Sequence, residues 1–263
     1  HFTEPSINSA FRRYATSLAG CIRIKKAWNG VLSDIMTNCK QIFQRVSTRA
    51  DGAGGTDFVA TEENRWKYFK ETILMPVLRT GQTRTLIVAP SYVHYVRIRN
   101  ELMKLEANAA YICEYSRDSE ISRARSRFFH GRHDILLYSG RCHYFRRFAI
   151  RGAQHVIYYT LPEYPHHYSE LVNSLSNQDD IANIKKQNSM GTERHQRDRI
   201  ADAINGGKAN GKHVQGGTDP VLSGTCSSLT LYTKLDKLAL ERTVGAKRAK
   251  HMVKSDKATF MFQ

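Results

Sequence analysis

The chain has 263 residues, 41% of them hydrophobic and 24% charged, which is length enough for one large domain or two modest ones with cores that need neither disulfides nor metal. Its 40 lysines and arginines outnumber 24 aspartates and glutamates, and a formal charge of +16 points to an anionic partner, nucleic acid before an acidic membrane surface. No apolar run approaches the ~20 residues that cross a bilayer, and Cys21, Cys39, Cys113, Cys142 and Cys226 form no C-x-x-C pair, which argues against a disulfide framework or zinc finger and for reduced thiols inside a cell.

The chain starts at His1 without a leader pattern and reads as part of a longer protein. Val31, Ile35, Cys39, Ile42 and Val46 recur at three- and four-residue steps, which predicts a helix over 31–46. Asp51-Gly-Ala-Gly-Gly55 then breaks regular structure. A second helix is predicted from Thr61 as its cap, with Trp66, Phe69, Ile73 and Val77 as its apolar stripe and Pro76 as its end.

From 84 to 175 the period alternates. Strands are predicted at 85–89, 110–113, 134–138 and 155–159, and helices are predicted around Tyr95 to Leu105, over 119–129 and from Pro165 onward. Short, nearly all-apolar strands separated by helices predict an α/β, doubly wound parallel sheet covered on both faces. The polar, glycine-containing stretch 176–224 is expected to be a linker, with one helix near 193–204. Beyond it, 229–233 reads as a strand, Leu235 to Val244 as a helix ended by Gly245, and 258–262 as a last strand.

Residues 117–151 hold Arg117, Arg123, Arg125, Arg127, Arg132, Arg141, Arg146, Arg147 and Arg151 among aromatic residues, and no lysine stands between Lys104 and Lys185. Arginine alone fits a surface that grips phosphate with a planar fork or stacks on bases, because a solvated face normally mixes in lysine. The interleaved aromatic rings are read as core. Lys247, Arg248, Lys250 and Lys254 form a second basic group, for which RNA contact and a solvated face are equally open readings. The pairs His166-His167 and Cys142-His143 raise the question of metal, but adjacent residues rarely point at one ion and no complementary Cys or His stands at ligand spacing, so no metal is expected.

Several enzyme classes find no support. There is no glycine-rich loop ending in Lys-Ser/Thr, no glycine-rich turn after the strand at 85–89, and no G-x-S-x-G elbow. No catalytic residue, cofactor or small-molecule substrate is therefore assigned.

Thr85-Leu-Ile-Val-Ala-Pro-Ser91, Arg123 six residues before Phe129, His130-Gly-Arg-His-Asp-Ile-Leu-Leu137 and His155-Val-Ile-Tyr-Tyr-Thr-Leu-Pro162 resemble, in order and spacing, the second RecA-like lobe of DEAD-box RNA helicases. The fuller strings Ile121 to Gly131, Phe145 to Gly152, Tyr168 to Val172, Leu240 to Lys250 and Thr259 to Phe262 are similar to the digestive organ expansion factor, or U3 small nucleolar RNA-associated protein 25, family. That resemblance implies a nucleolar, helicase-like component of the small-subunit processome. Its expected partners are ribosomal RNA precursor, the U3 small nucleolar ribonucleoprotein and other processome proteins, and no membrane.

On this reading 1–50 is the tail of an incomplete first lobe with a linking helix, 51–83 a glycine-rich loop and connecting helix, 84–175 the second lobe, 176–224 a linker, and 225–263 a segment that completes the lobe. Active DEAD-box enzymes carry Arg-Gly-x-Asp after the third strand of this lobe and later an arginine-finger motif. Here Ser139-Gly-Arg-Cys-His143 follows that strand, no aspartate occurs from Ile135 to Gln178, and 168–178 contains no arginine. Loss of such a finger costs about a thousandfold or more in phosphoryl transfer, so a non-catalytic protein is expected. The alternative is an active ATP-dependent helicase with its motor motifs further upstream. The expected RNA- or partner-binding residues are Arg123, Arg125, Arg127, Arg132, Arg146, Arg147, Arg151, Lys247, Arg248 and Lys250.

Overall fold

The computed structural model describes residues 30–47, 58–175 and 226–262, so the expected tail at 1–29, the glycine-rich break, the linker and its helix near 193–204 lie outside the described residues. Seven strands form one sheet: β1 (Lys40–Arg45), β2 (Thr85–Ala89), β3 (Ala109–Ile112), β4 (Ile135–Ser139), β5 (His155–Tyr158), β6 (Ser227–Tyr232) and β7 (Thr259–Phe262). Their order is β3-β4-β2-β5-β6-β1-β7. Every pairing is parallel except that of β7, which runs antiparallel to β1. The α/β, doubly wound plan is thus what the chain adopts.

The strands are apolar on both faces because helices cover both. Leu86, Val88, Leu136, Tyr138, Val156 and Tyr158 face one core, and Ile87, Ala89, Ile135, Leu137, Ile157 and Tyr159 face the other. The second core is closed by α1 (Phe58–Tyr68), a π-helical turn (Phe69–Leu74), α2 (Met75–Arg79) and α3 (Tyr92–Lys104), which contribute Phe69, Ile73, Val77, Tyr95, Ile98 and Leu102. The first is closed by α4 (Asp118–Phe129), α5 (Gly140–Arg146), α6 (Pro165–Asn173), α7 (Lys237–Val244) and α8 (Ala246–Lys254).

Three expectations are corrected. Residues 31–46 are not a helix but a short 3-10 turn (Leu32–Asp34) followed by β1. Over 39–43 the buried residues are Cys39, Gln41 and Phe43, a two-residue period hidden in the sequence because Gln41 is polar; its Oε1 accepts a hydrogen bond from Tyr168 at 3.2 Å. Pairing with β6 on one side and β7 on the other decides the conformation over local helical pattern. Thr61 does not cap the second helix, which already begins at Phe58 and buries Thr61. Pro76 does not end that helix, because the π-helical turn comes just before it: Met75 N–H donates to the Lys70 carbonyl, the register has shifted, and proline enters as the second residue of α2, where its missing N–H costs little.

The C-terminal segment is integral to the sheet. β6 pairs with β5, and the guanidinium of Arg45 on β1 donates to the carbonyls of Met252 and Ser255 at 3.1 and 2.6 Å, tying the end of α8 to the sheet edge. Gly245 turns the chain from α7 into α8 at φ +93°.

Candidate nucleic-acid interface

The carboxyl ends of β4, β2 and β5 open on a cavity of about 270 Å³ lined by Pro90, Gly140, Tyr144, Phe145, Tyr164 and His167, among others. Ligands of doubly wound sheets bind at this end of the strands. Tyr144 and Tyr164 stack there at 5.0 Å between centroids with 24° between planes, and Phe145 stands 62% exposed at the rim. Arg141 reaches the buried carboxylate of Glu114 at 3.6 Å, and the Ser139 hydroxyl donates to the same carboxylate at 2.7 Å. Sequence pattern assigns the aromatics of 117–151 to the core, and for Tyr144 and Phe145 the structure corrects it: with Tyr164 they line a surface cavity.

The arginines are spread over α4, the end of α5 and the turns before β4 and β5. Arg123 and Arg127 are four residues apart on α4, on one side of the helix and exposed, with no ion-pair partner among the described residues. Arg132, in the turn before β4, and Arg151, in the turn before β5, are also exposed and likewise without an ion-pair partner among the described residues. Arg125 is engaged in the fold: it donates to the Ala149 carbonyl at 2.9 Å and lies 5.0 Å from the centre of the Phe148 ring. Arg146 pairs with Asp118 at 3.2 Å. Arg147, in the left-handed conformation that ends α5 (φ +42°), pairs with Glu170 at 3.2 Å. Among the seven expected arginines of 123–151, then, four carry charge outward and three are engaged with other groups of the fold.

Lys247, Arg248 and Lys250 on α8 are exposed on the same layer but at the other end of it, beside β1 and β7, where Arg248 lies 5.7 Å from the Phe262 ring centre. Five strand spacings separate this group from α4, about 24 Å. Sequence order could not show that the two basic groups share a face.

A buried polar cluster lies beneath the cavity. The ring of His143 touches the Tyr138 hydroxyl through Nδ1 at 3.2 Å and the Glu170 carboxylate through Nε2 at 3.1 Å. His167 packs on it edge to face at 4.8 Å, and its Nε2 is buried with no hydrogen-bond partner. Burial, with the neighbouring histidines adding to it, pushes His167 down to about 3, while the hydrogen bond from His143 holds the Glu170 carboxyl below its ordinary value. Sequence reasoning misses this cluster, although His167 and Glu170, three apart at the start of one helix, are its visible signal.

The Utp25 C-terminal domain family matches residues 31–197. The U3 small nucleolar RNA-associated protein 25 homolog of Homo sapiens is 29% identical over 98% of the chain, which spans 28% of that protein, and the corresponding protein of Phaeosphaeria nodorum is 30% identical over 99% of the chain, which spans 33% of it. Among solved structures, the E. coli DEAD-box protein SrmB bound to regulator of ribonuclease activity A is similar at a TM-score of 0.46 and 12% identity, covering 78% of this chain and 82% of that one. S. cerevisiae Dbp5 bound to RNA and ADP BeF3 is similar at 0.42 and 16%, covering 64% and 39%. With scores this low, the doubly wound description stands on the strand order itself. The match over 31–197 is a different matter: the chain belongs to the Utp25 family, through that family's C-terminal domain.

Proposed function

We propose that this chain is the C-terminal, RecA-like part of a ribosome-biogenesis factor that binds ribosomal RNA precursor within the small-subunit processome, in company with the U3 small nucleolar ribonucleoprotein and other processome proteins in the nucleolus, and that it hydrolyses no ATP. The observation that carries the reading is the set of outward arginines, Arg123 and Arg127 on α4 and Arg132 and Arg151 in the turns before β4 and β5, exposed without acidic partners among the described residues. Unneutralised guanidinium groups gain most from a polyanion, because each phosphate contact they make releases a counterion. At the carboxyl edge of the sheet the aromatic cavity offers Tyr144, Tyr164 and Phe145 as stacking surfaces for unpaired bases, a sequence-tolerant mode of contact. Lys247, Arg248 and Lys250 extend the track along the same layer.

The non-catalytic part of the reading is supported by the turn out of β4. Ser139 is buried and bonded to Glu114, and Gly140 begins α5, so the position where an active lobe carries Arg-Gly-x-Asp is built into a helix without an aspartate.

Two measurements test this. In a titration of single-stranded RNA across salt, the double variant Arg123→Ala, Arg127→Ala should bind more weakly with little dependence on sequence, and the slope of log affinity against log salt should fall by about 0.7 for each phosphate no longer gripped. Unchanged affinity and slope in folded protein would overturn the RNA assignment; reduced entry into the pre-ribosomal particle with RNA binding intact would replace it with an acidic protein partner. RNA-stimulated ATP turnover by the full-length protein, abolished by charge changes in this lobe, would establish the helicase alternative.

A further inference from the structure

The pairs Cys142-His143 and His166-His167, which sequence spacing gave no reason to connect, each send one histidine to the same place. His143, on the helix that follows β4, and His167 and Glu170, on α6, offer one ligand atom apiece within 4.8 Å of one another. We propose that these three side chains form a binding site for a single divalent cation of the zinc type. The site goes beyond the RNA-binding reading and does not depend on it.

Ligand chemistry favours this class of ion. Two imidazole nitrogens and one carboxylate oxygen suit borderline ions such as Zn²⁺ and Co²⁺, whereas Mg²⁺ and Ca²⁺ demand sets made of oxygen. Four ligands about 2.0–2.1 Å from a tetrahedral ion lie roughly 3.3 Å apart. His143 Nε2 and Glu170 Oε2, at 3.1 Å, already have that separation. The third ligand closes by rotation of the His167 ring, whose Nε2 has no hydrogen bond to give up.

The surroundings supply what a metal site needs beyond its ligands. The Tyr138 hydroxyl, 3.2 Å from His143 Nδ1, fixes that ring in the orientation that presents Nε2. Arg147 holds the other carboxylate oxygen of Glu170, Oε1, at 3.2 Å, leaving Oε2 directed at the histidines. The same guanidinium reaches His166 Nε2 at 3.3 Å, so that histidine is a support and not a ligand. Arg147 opposes the cation by its charge, but it is half exposed and bonded to the far side of the carboxylate. His167 also lines the cavity at the carboxyl edge, so an ion has a route in. Cys142, although adjacent to His143, is excluded: its thiol is buried and pushed up to about 11, chiefly by desolvation.

The test uses the full chain stripped with a chelator and then titrated with Co²⁺ alone, with Zn²⁺ as competitor. One Co²⁺ per chain, with visible absorption of a low-coordinate complex that Zn²⁺ removes, is the expected result. Glu170→Gln, which preserves shape, and His167→Gln should each weaken Co²⁺ binding at least about tenfold. His130→Gln combined with His251→Gln, at exposed positions outside the cluster, should leave binding unchanged. Absence of a saturable Co²⁺ complex, or one undiminished in folded Glu170→Gln protein, would overturn the proposal. Because Glu170→Gln also removes an ion pair, near-ultraviolet circular dichroism of each metal-free variant is compared with wild type. If Glu170→Gln disturbs the fold, His167→Gln decides: undiminished binding there overturns the site.

Discussion

His155 stands at the amino end of β5, 8% exposed, with Nδ1 2.8 Å from the Ser227 hydroxyl on β6. Burial pushes its pKa down from 6.5 to about 4, so the fold holds the ring neutral. Above pH 6.5 both folded and unfolded chains are neutral there and the group is silent. Below that, the unfolded chain takes up a proton that the fold refuses, so stability falls as pH drops from 6.5 through 4 and then levels off. The full difference is roughly 3 kcal/mol, and the part lost between pH 7 and pH 5 is roughly 2 kcal/mol, a fall of about 4–8 °C in Tm for a domain of this size. His155→Asn keeps a polar partner for Ser227 but cannot titrate. It costs stability at pH 7, yet urea unfolding at pH 7 and pH 5 should show it losing roughly 2 kcal/mol less than wild type over that interval. Equal losses in the two proteins would refute the claim that a neutral, buried His155 contributes to this dependence.

Gly30 has φ +77°, and a methyl group added there would meet the Thr243 carbonyl, which accepts the hydrogen bond from Val31 N–H at 2.9 Å. Gly30→Ala should therefore destabilise by about 1–3 kcal/mol or more in chemical denaturation, and an unchanged midpoint would show that the entry to β1 is not packed on α7 as described. The thiols of Cys39 and Cys142 are buried and pushed up to about 12 and 11, mainly by desolvation. Peptide mapping after iodoacetamide treatment of native protein at mild alkaline pH should find both unmodified, and labelling of either would contradict their burial.

What the sequence made legible depends on where the deciding forces lie. β2, β4 and β5 are central strands covered on both faces, so nearly every residue is apolar and the run itself declares a strand. Pro165 and Gly245 act through their own backbone geometry, and both stand where the pattern puts them. β1 is misread because its identity depends on strands more than 180 residues further along the chain: Phe43 and Gln41 are buried by contacts that no local period encodes, and the same window offers a good helical stripe. Pro76 is misread for a subtler reason. Proline forbids a regular helical interior, but a π-helical turn of one extra residue resets the frame just before it.

The candidate site was legible only in its composition. An arginine-only segment signals a charged surface, yet which charges remain outward depends on groups brought from elsewhere: Asp118 takes Arg146, Glu170 takes Arg147, and the Ala149 carbonyl takes Arg125. These contacts link α4 to the segment after α5 and α5 to α6, so replacing Arg146 and Arg147 would remove two ion pairs as well as charge. Arg123 and Arg127 project from a helix whose packing is carried by Ile121 and Phe128 on its opposite side, and their removal changes charge without removing an ion pair among the described residues. A fall in the salt slope for that pair therefore reports phosphate contact itself, which is why the outward arginines, and not the more conspicuous Arg146-Arg147 doublet, are the place to test it.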